Sequence, residues 1–117
     1  NNSRVKGVSW VAFVAGASLC NIPEVKAPKF FENALKMSAL DDVKWAEDCW
    51  VTGAPGVGYI AYTGSEDLTL DLQGDKRSYK FQWIDPDSGE SLGKPQRARS
   101  GDTLKAPAEN AVLYLYR

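Results

Sequence analysis

Short apolar strand patterns separated by turn signals recur about every ten residues from Asp42 onward, and this spacing constrains the fold more than any other feature. The clearest pattern is DLTLDL, in which Leu68, Leu70 and Leu72 alternate with polar residues. Alternation with a period of two places every second side chain on one face of a strand. These leucines are therefore predicted to face a core, and the spacing as a whole predicts an antiparallel sandwich or barrel.

Two later segments extend the pattern. In YKFQW, the rings of Tyr79, Phe81 and Trp83 fall on one face of a strand and are predicted to be buried. The segment AVLYLYR is apolar at every position from 112 to 116. An unbroken apolar strand is typical of a central strand that is covered on both faces.

Three other segments carry weaker strand patterns. In VKWAEDCWV the apolar residues alternate, but Glu47 falls on the apolar face, which predicts a bulge near Glu47 and Asp48. A glycine-rich loop over residues 52–58 precedes a strand at residues 59–63. A last, weak strand is predicted near residues 96–99.

Residues 1–41 are less regular. Apolar residues spaced three and four apart, after a proline suited to a first helical turn, predict one short helix near residues 28–39. In residues 5–19, periodicity does not separate a buried helix from one or two strands, and the β-branched residues favour the strand interpretation. The helical stripe comprises Phe30, Phe31, Ala34, Leu35 and Met37.

The fold class predicted from these segments is mainly β. We expect a single antiparallel β-sandwich of seven or eight strands over residues 1–117, with one short helix near residues 28–39. Residues 1–41 would supply a strand and the helix, and residues 42–117 the rest of the sandwich.

Composition excludes several kinds of chemistry. The chain has no histidine, which excludes Ser-His and Cys-His nucleophiles and removes the commonest transition-metal ligand. Its 14 basic and 15 acidic residues give a formal charge of −1, so no strong field would concentrate nucleic acid or anionic lipid. No apolar run approaches the roughly 20 residues that span a bilayer. We therefore expect no nucleic-acid partner, no membrane partner and no cofactor.

The two cysteines, Cys20 and Cys49, do not follow a metal-binding spacing. They either form a disulfide that closes a loop of about 30 residues or remain two buried thiols. The sequence leaves both alternatives open.

The segment FQWIDPDSGESLG places an acidic turn after an aromatic strand. Asp85 can accept a hydrogen bond from a backbone N–H two residues on, Pro86 presets its own φ, and Gly89 suits a position with positive φ. Calcium ligation by Asp85, Asp87 and Glu90 is the alternative, but their spacing departs from that of a calcium loop. We therefore interpret Asp85, Pro86 and Gly89 as a structural turn and predict no metal site.

Exposed aromatic rings are the candidates for ligand binding. Trp50 is out of phase with the buried residues of its segment and lies next to the glycine-rich loop, so it is the best candidate for a platform that stacks on a sugar ring. Tyr59 and Tyr62 on the following strand are further candidates. Adjacent acidic residues in a strand point to opposite faces and do not converge, so no catalytic residue is assigned and we do not expect an enzyme.

Three segments together resemble a known family over residues 42–117. GYIAYTGSEDLTLDL, YKFQWIDPDSGES and LKAPAENAVLYLYR are similar, in this order, to the C-terminal β-sandwich module of glycoside-hydrolase-like proteins, a module of the collagen-binding-domain type. The segment VSWVAFVAGASL is similar to the stretch that precedes the module in such enzymes.

The resemblance implies a non-catalytic accessory module. Its expected partners are a polysaccharide or another extracellular polymer, or an adjacent hydrolase domain, and its expected location is extracellular or periplasmic if it belongs to a secreted hydrolase. The alternative is a small stand-alone interaction protein that forms a homo-oligomer through residues 5–20.

Overall fold

The computed structural model describes residues 9–15 and 22–117, and all structural statements below concern these residues. Two short helices precede the sheet: α1 is the helical segment 9–14 and α2 is Phe30–Ala34. The strands are β1 Ser38–Ala39, β2 Cys49–Ala54, β3 Gly58–Thr63, β4 Asp67–Thr69, β5 Tyr79–Ile84, β6 Ser91–Ala98, β7 Thr103–Lys105 and β8 Ala111–Tyr116.

The strands form two antiparallel sheets. One has six strands in the order β1-β2-β3-β8-β5-β6, and the other pairs β4 with β7. The prediction of a mainly β, antiparallel sandwich of seven or eight strands is confirmed, with eight strands in the described residues and a short helix, α2, inside the predicted interval. β8 lies at the middle of the large sheet between β3 and β5, as expected of an unbroken apolar strand.

The inner core lies between the two sheets. Leu68, Leu70 and Leu72 are buried there, as are Tyr79, Phe81 and Trp83. Both sets are residues that alternation in the sequence placed inside. β3 and β8 contribute every second residue to this core, and their other residues face the opposite side of the large sheet.

The opposite side, the outer face, is covered by the N-terminal part of the chain. Trp10, Val14 and Phe30 are buried in a second cluster with Ile60 and Tyr114 of the sheet. Edge-to-face aromatic contacts join the layers: the ring of Phe30 lies 5.0 Å from that of Tyr114. The molecule therefore has three layers, which are the helices, the large sheet and the small sheet.

The strand interpretation of residues 5–19 is wrong over the described part, since residues 9–14 are helical. Trp10 and Val14 are four residues apart and share one helix face, and both pack against the sheet. Burial of that face outweighs the weak helix propensity of valine. Residues 5–8 and 16–19 lie outside the described residues.

The strand predicted from VKWAEDCWV begins later than expected. It starts at Cys49, and residues 45–48 form bends and a turn, so the bulge predicted near Glu47 and Asp48 is wrong. Trp45 is nevertheless buried, because a loop carries it into the inner core, where its indole N–H donates to the carbonyl of Asp71 at 3.0 Å. Alternation does not distinguish a strand from a loop that buries the same residues.

The β5–β6 pair is also longer than predicted. β6 runs over Ser91–Ala98 rather than residues 96–99 alone. A shift of register between Phe81 and Trp83 lies within this pair.

The turn between β5 and β6 holds the helical layer on the sheet. Asp85 Oδ1 accepts hydrogen bonds from the N–H groups of Asp87 at 2.7 Å and Ser88 at 3.1 Å, and Gly89 has φ of 77°. The outer carbonyls of the turn bind the N-terminal segment: Pro86 O accepts from the indole of Trp10 at 2.8 Å, and Gly89 O accepts from Lys26 N at 2.9 Å. The turn is therefore a joint between two layers as well as a chain reversal.

Comparison of Gly89→Ala with Gly93→Ala should show how much of the stability depends on the close contact between the turn and the N-terminal segment. A Cβ at Gly89 would collide with the backbone of Glu24, whereas Gly93 has a similar φ of 87° and open space around it. We expect Gly93→Ala to cost about 1 kcal/mol for the left-handed backbone alone and Gly89→Ala about 2–4 kcal/mol, because the steric collision adds to it. Urea unfolding of the two variants measures the difference, and equal losses would contradict the role of the turn as a joint.

Candidate functional site

An aromatic pair lies on the outer face at the β2–β3 end of the sheet. The register of β2 and β3 places Trp50 directly opposite Tyr62, with ring centroids 6.2 Å apart and planes tilted by 31°. The side chain of Trp50 is 40 % exposed, whereas Tyr62 is 7 % exposed. The buried tyrosine therefore supports an indole that is open to solvent.

A groove of about 200 Å³ lies beside Trp50. It follows the β2 edge where β1, only two residues long, pairs with Thr52 and Gly53, so that no strand of the described residues pairs with the start of β2 on this side. Its walls come from the end of α1, the chain after β1 and the start of β2. The lining includes Val14, Ala15, Asp41, Lys44, Cys49 and Trp50.

The hydroxyl of Tyr62 in this aromatic pair stays neutral at neutral pH. Burial raises the pKa of Tyr62, and the negative charges of Asp48 and Asp87 raise it further. At the groove, burial raises the pKa of the Cys49 thiol to about 11. Cys49 is thus a neutral, buried part of the groove wall at neutral pH, and it forms no disulfide with another described residue.

The question of a Cys20–Cys49 disulfide is not answered by these contacts, because Cys20 lies outside the described residues.

Tyr59, the third candidate for ligand binding, lies on the other side of the sheet. It is buried in the inner core, and its hydroxyl donates to Asp75 Oδ2 at 2.9 Å. Its ring covers Gly53 on the neighbouring strand, where a Cβ would collide with it. The structure brings Trp50 and Tyr62 together and places Tyr59 apart from them.

Asp75 is the centre of a buried polar network. Its side chain is 1 % exposed and accepts hydrogen bonds from the hydroxyls of Tyr59 and Tyr79 and from the backbone and guanidinium of Arg77, the latter two at 3.1 and 3.0 Å. Tyr79 in turn accepts from the N–H of Gly56 at 2.8 Å. The network joins the β2–β3 loop to the chain before β5.

Burial by itself would raise the pKa of Asp75, but the hydrogen bonds from Tyr79, Arg77 and Tyr59 prevail and lower it to about 2. Burial and the neighbouring carboxylate raise the pKa of Tyr59 and of Tyr79. Asp75 is therefore an ionised acceptor and the tyrosines are neutral donors, so the network is built for stability.

Sequence reasoning missed this network. The segment QGDKR was interpreted only as a turn, and nothing in it marks Asp75 as buried. Arg77 and Tyr79 are close to Asp75 in sequence, but Tyr79 was identified only as a core ring, and the contact with Tyr59 depends on how the chain packs.

The Asp85, Pro86 and Gly89 turn is on the outer face but makes backbone contacts rather than a ligand site. Residues 9–15 and 22–117 hold no group of three His, Cys, Asp or Glu residues that could bind a metal ion. In the same residues no helix is both long and apolar enough to cross a bilayer.

The groove beside Trp50 combines an aromatic ring with polar groups that could bind a ligand. A flat indole lies beside one carboxylate, Asp41, and one ammonium group, Lys44, whose Nζ donates to the carbonyl of Glu47 at 3.1 Å. This arrangement suits a ligand with an apolar face and a rim of hydroxyl groups. Among the described residues that line the groove, Asp41 is the single carboxylate.

Comparisons of the chain with protein-family models, with curated proteins and with solved structures found no match.

The polar network generates a pH prediction. The pKa of Asp75 is about 2 when folded and about 3.8 ordinarily, so ionised Asp75 stabilises the fold above about pH 4 and this contribution is lost as the pH falls through about 2. We expect Asp75→Asn to cost about 2 kcal/mol at pH 6, with the difference from wild type shrinking between pH 4 and pH 2. Urea unfolding at several pH values measures it.

Asp71→Asn is the control for this prediction, because Asp71 is exposed and its carboxylate accepts a hydrogen bond from Gln73 N at 3.0 Å, its one side-chain acceptor contact with the described residues. It should cost less than about 1 kcal/mol. A constant difference between Asp75→Asn and wild type from pH 6 to pH 2 would refute the role given to the ionised carboxylate.

Proposed function

We propose that this protein is a non-catalytic binding module for a polysaccharide, and that Trp50 is its stacking platform. The observation that carries the proposal is the exposed indole of Trp50, which packs against the buried ring of Tyr62 and is flanked by a groove. The resemblance of residues 42–117 to the β-sandwich modules of glycoside-hydrolase-like proteins supports the same class of ligand.

Stacking on a pyranose suits this geometry. A sugar ring presents C–H groups on one face and hydroxyls at its rim, so it can cover an indole while the hydroxyls bind polar neighbours. Asp41 can accept from such hydroxyls and Lys44 can donate to them. The ring of Trp50 already packs against the buried ring of Tyr62, so little side-chain freedom is lost when the ligand binds.

The contribution of the platform can be estimated. If a sugar covers about 80 Å² of apolar indole surface, the gain is about 2 kcal/mol, or about 30-fold in the dissociation constant. Isolated sites of this kind are weak, so the ligand that fits best is a polymer that offers many equivalent rings.

The alternative, a stand-alone protein that self-associates through residues 5–20, has less support. Residues 9–15 are the described part of that segment, and they pack Trp10 and Val14 against their own sheet. These side chains are used within the chain and do not present a surface to a second copy. A plain monomer in light scattering, together with polysaccharide binding, would favour the module.

The proposal is tested by titration of the protein with neutral polysaccharides, for example soluble β-glucan, xylan and dextran, followed by indole fluorescence and calorimetry. We expect one of them to bind and Trp50→Ala to weaken its binding by about 30-fold. No binding of any polysaccharide, neutral or acidic, by the wild-type protein would refute the proposed function.

Phe31→Ala is the matched control. Phe31 is 42 % exposed, close to the exposure of Trp50, but it lies on α2 and is not among the residues that line the groove. Its removal should leave polysaccharide binding unchanged. Equal losses in the two variants would show that apolar surface in general, rather than the Trp50 platform, is responsible.

A further inference from the structure

Two basic side chains lie directly opposite each other on the outer face near the β5–β6 edge. Lys80 of β5 pairs with Arg97 of β6, and Tyr116 of β8 flanks Lys80 on the other side. Both basic residues are exposed. Directly opposed residues of an antiparallel pair have Cβ atoms about 4.5–5.5 Å apart. Two positive charges therefore share one small patch, here called the basic pair.

Within the part of the chain that the structure describes, the basic pair has no carboxylate partner. The ion pairs found in residues 9–15 and 22–117 are Lys26–Glu90, Arg77–Asp75 and Lys105–Glu66, and neither member of the basic pair takes part in them. Every Asp and Glu of the sequence lies within residues 22–117. Residues 1–8 and 16–21 therefore contribute no Asp or Glu side chain that could neutralise the pair.

The fold itself does not require two cations at this place. Like charges directly opposite each other destabilise a strand pair. An uncharged pair occupies the equivalent kind of exposed cross-strand position in the small sheet, where the hydroxyls of Thr69 and Thr103 lie 3.2 Å apart and form a hydrogen bond. An anionic ligand would turn the repulsion of the basic pair into attraction.

A further donor lies on the same face. The carbonyl oxygen of the Gln82 side chain accepts from the hydroxyl of Tyr116 at 3.4 Å. Its amide nitrogen is then left to donate, two residues along β5 from Lys80. The patch thus offers cationic and neutral donors to one ligand.

Addition of an acidic peptide as a further strand does not suit this edge. Pro95 lies in the middle of β6 and has no N–H to donate to a new strand. Gly93, with φ of 87°, lies on β6 where the register shifts. An anion would therefore be bound through side chains, without a backbone ladder.

We propose that the basic pair binds a carboxylate or sulfate group of an acidic polysaccharide. The inference rests on the proposed function, from which it takes the class of polymer, and it adds the charge of that polymer. The Arg97 guanidinium matches the paired oxygens of either group, and the Lys80 ammonium adds a point charge beside it.

The experiment is calorimetric titration at low salt with polygalacturonate, which carries carboxylates, dextran sulfate, which carries sulfate esters, neutral dextran and poly-glutamate. We expect one of the acidic polysaccharides to bind more tightly than dextran, and the binding to weaken as salt rises. The double variant Lys80→Gln/Arg97→Gln should lose about tenfold in affinity. Lys80→Arg should retain it.

The control is Lys26→Gln/Lys105→Gln, which removes the same charge from lysines that already have carboxylate partners. It should leave the affinity within about twofold. Equal losses in the two double variants would show that net charge is responsible and would overturn the inference. Poly-glutamate binding as tight as that of both acidic polysaccharides would overturn the choice of a polysaccharide.

The two proposals fail differently. If an acidic polysaccharide binds no more tightly than a neutral one, the basic pair has no such role while the Trp50 platform stands. If acidic polymers bind through the basic pair and Trp50→Ala changes nothing, the platform fails and the further inference stands. Absence of all polysaccharide binding removes both.

Discussion

The whole architecture depends on two central strands that are apolar on both faces. Every residue of β3 and β8 is buried, so the large sheet cannot leave either side open to water. Ile60, Val112 and Tyr114 on the outer face would otherwise form a contiguous apolar patch of the kind that drives aggregation. The small sheet covers one side, and Trp10, Val14, Val25 and Phe30 cover the other. Helices α1 and α2 are therefore part of the folded core.

The outer layer is held by few, specific contacts. Pro86 and Gly89 offer backbone carbonyls to Trp10 and Lys26, while Tyr114 donates to the carbonyl of Pro28. The Asp85 side chain fixes the turn that aims the first two of these carbonyls. In this acidic segment the backbone carbonyls of Pro86 and Gly89 thus join the layers, and the carboxylate of Asp85 holds the turn that carries them.

Local hydrophobic patterns in the sequence made much of the fold predictable. The inward positions of Leu68 and Leu72, the position of Trp83 and the central place of β8 follow from periods of two and from an unbroken apolar run. The helix at residues 9–14 was not predictable in this way. Its conformation depends on a sheet face made from strands 50 to 100 residues later, and a short apolar stretch is compatible with helix or strand until that face is known.

The candidate site was predictable only in part, for the same reason. The phase of Trp50 in its segment indicated an exposed ring, but its support by Tyr62 depends on the pairing of two strands. No pattern separated Tyr62 from Tyr59, which faces Asp75 in the inner core. The basic pair likewise exists only through strand register, because Lys80 and Arg97 are far apart in sequence and become neighbours when β5 pairs with β6.

The outer layer also determines which part of the large sheet a ligand could reach. The helices cover the middle of the outer face, and Trp50 and the basic pair lie at opposite corners of it. Three strand spacings and four residues along the strand separate Trp50 from Lys80, which is roughly 20 Å. A monosaccharide cannot contact both corners, so a single ligand that used the two would have to be a polymer that passes over or beside the helical layer. The same covering that makes the sheet stable thus restricts its outer face to ligands bound at the corners.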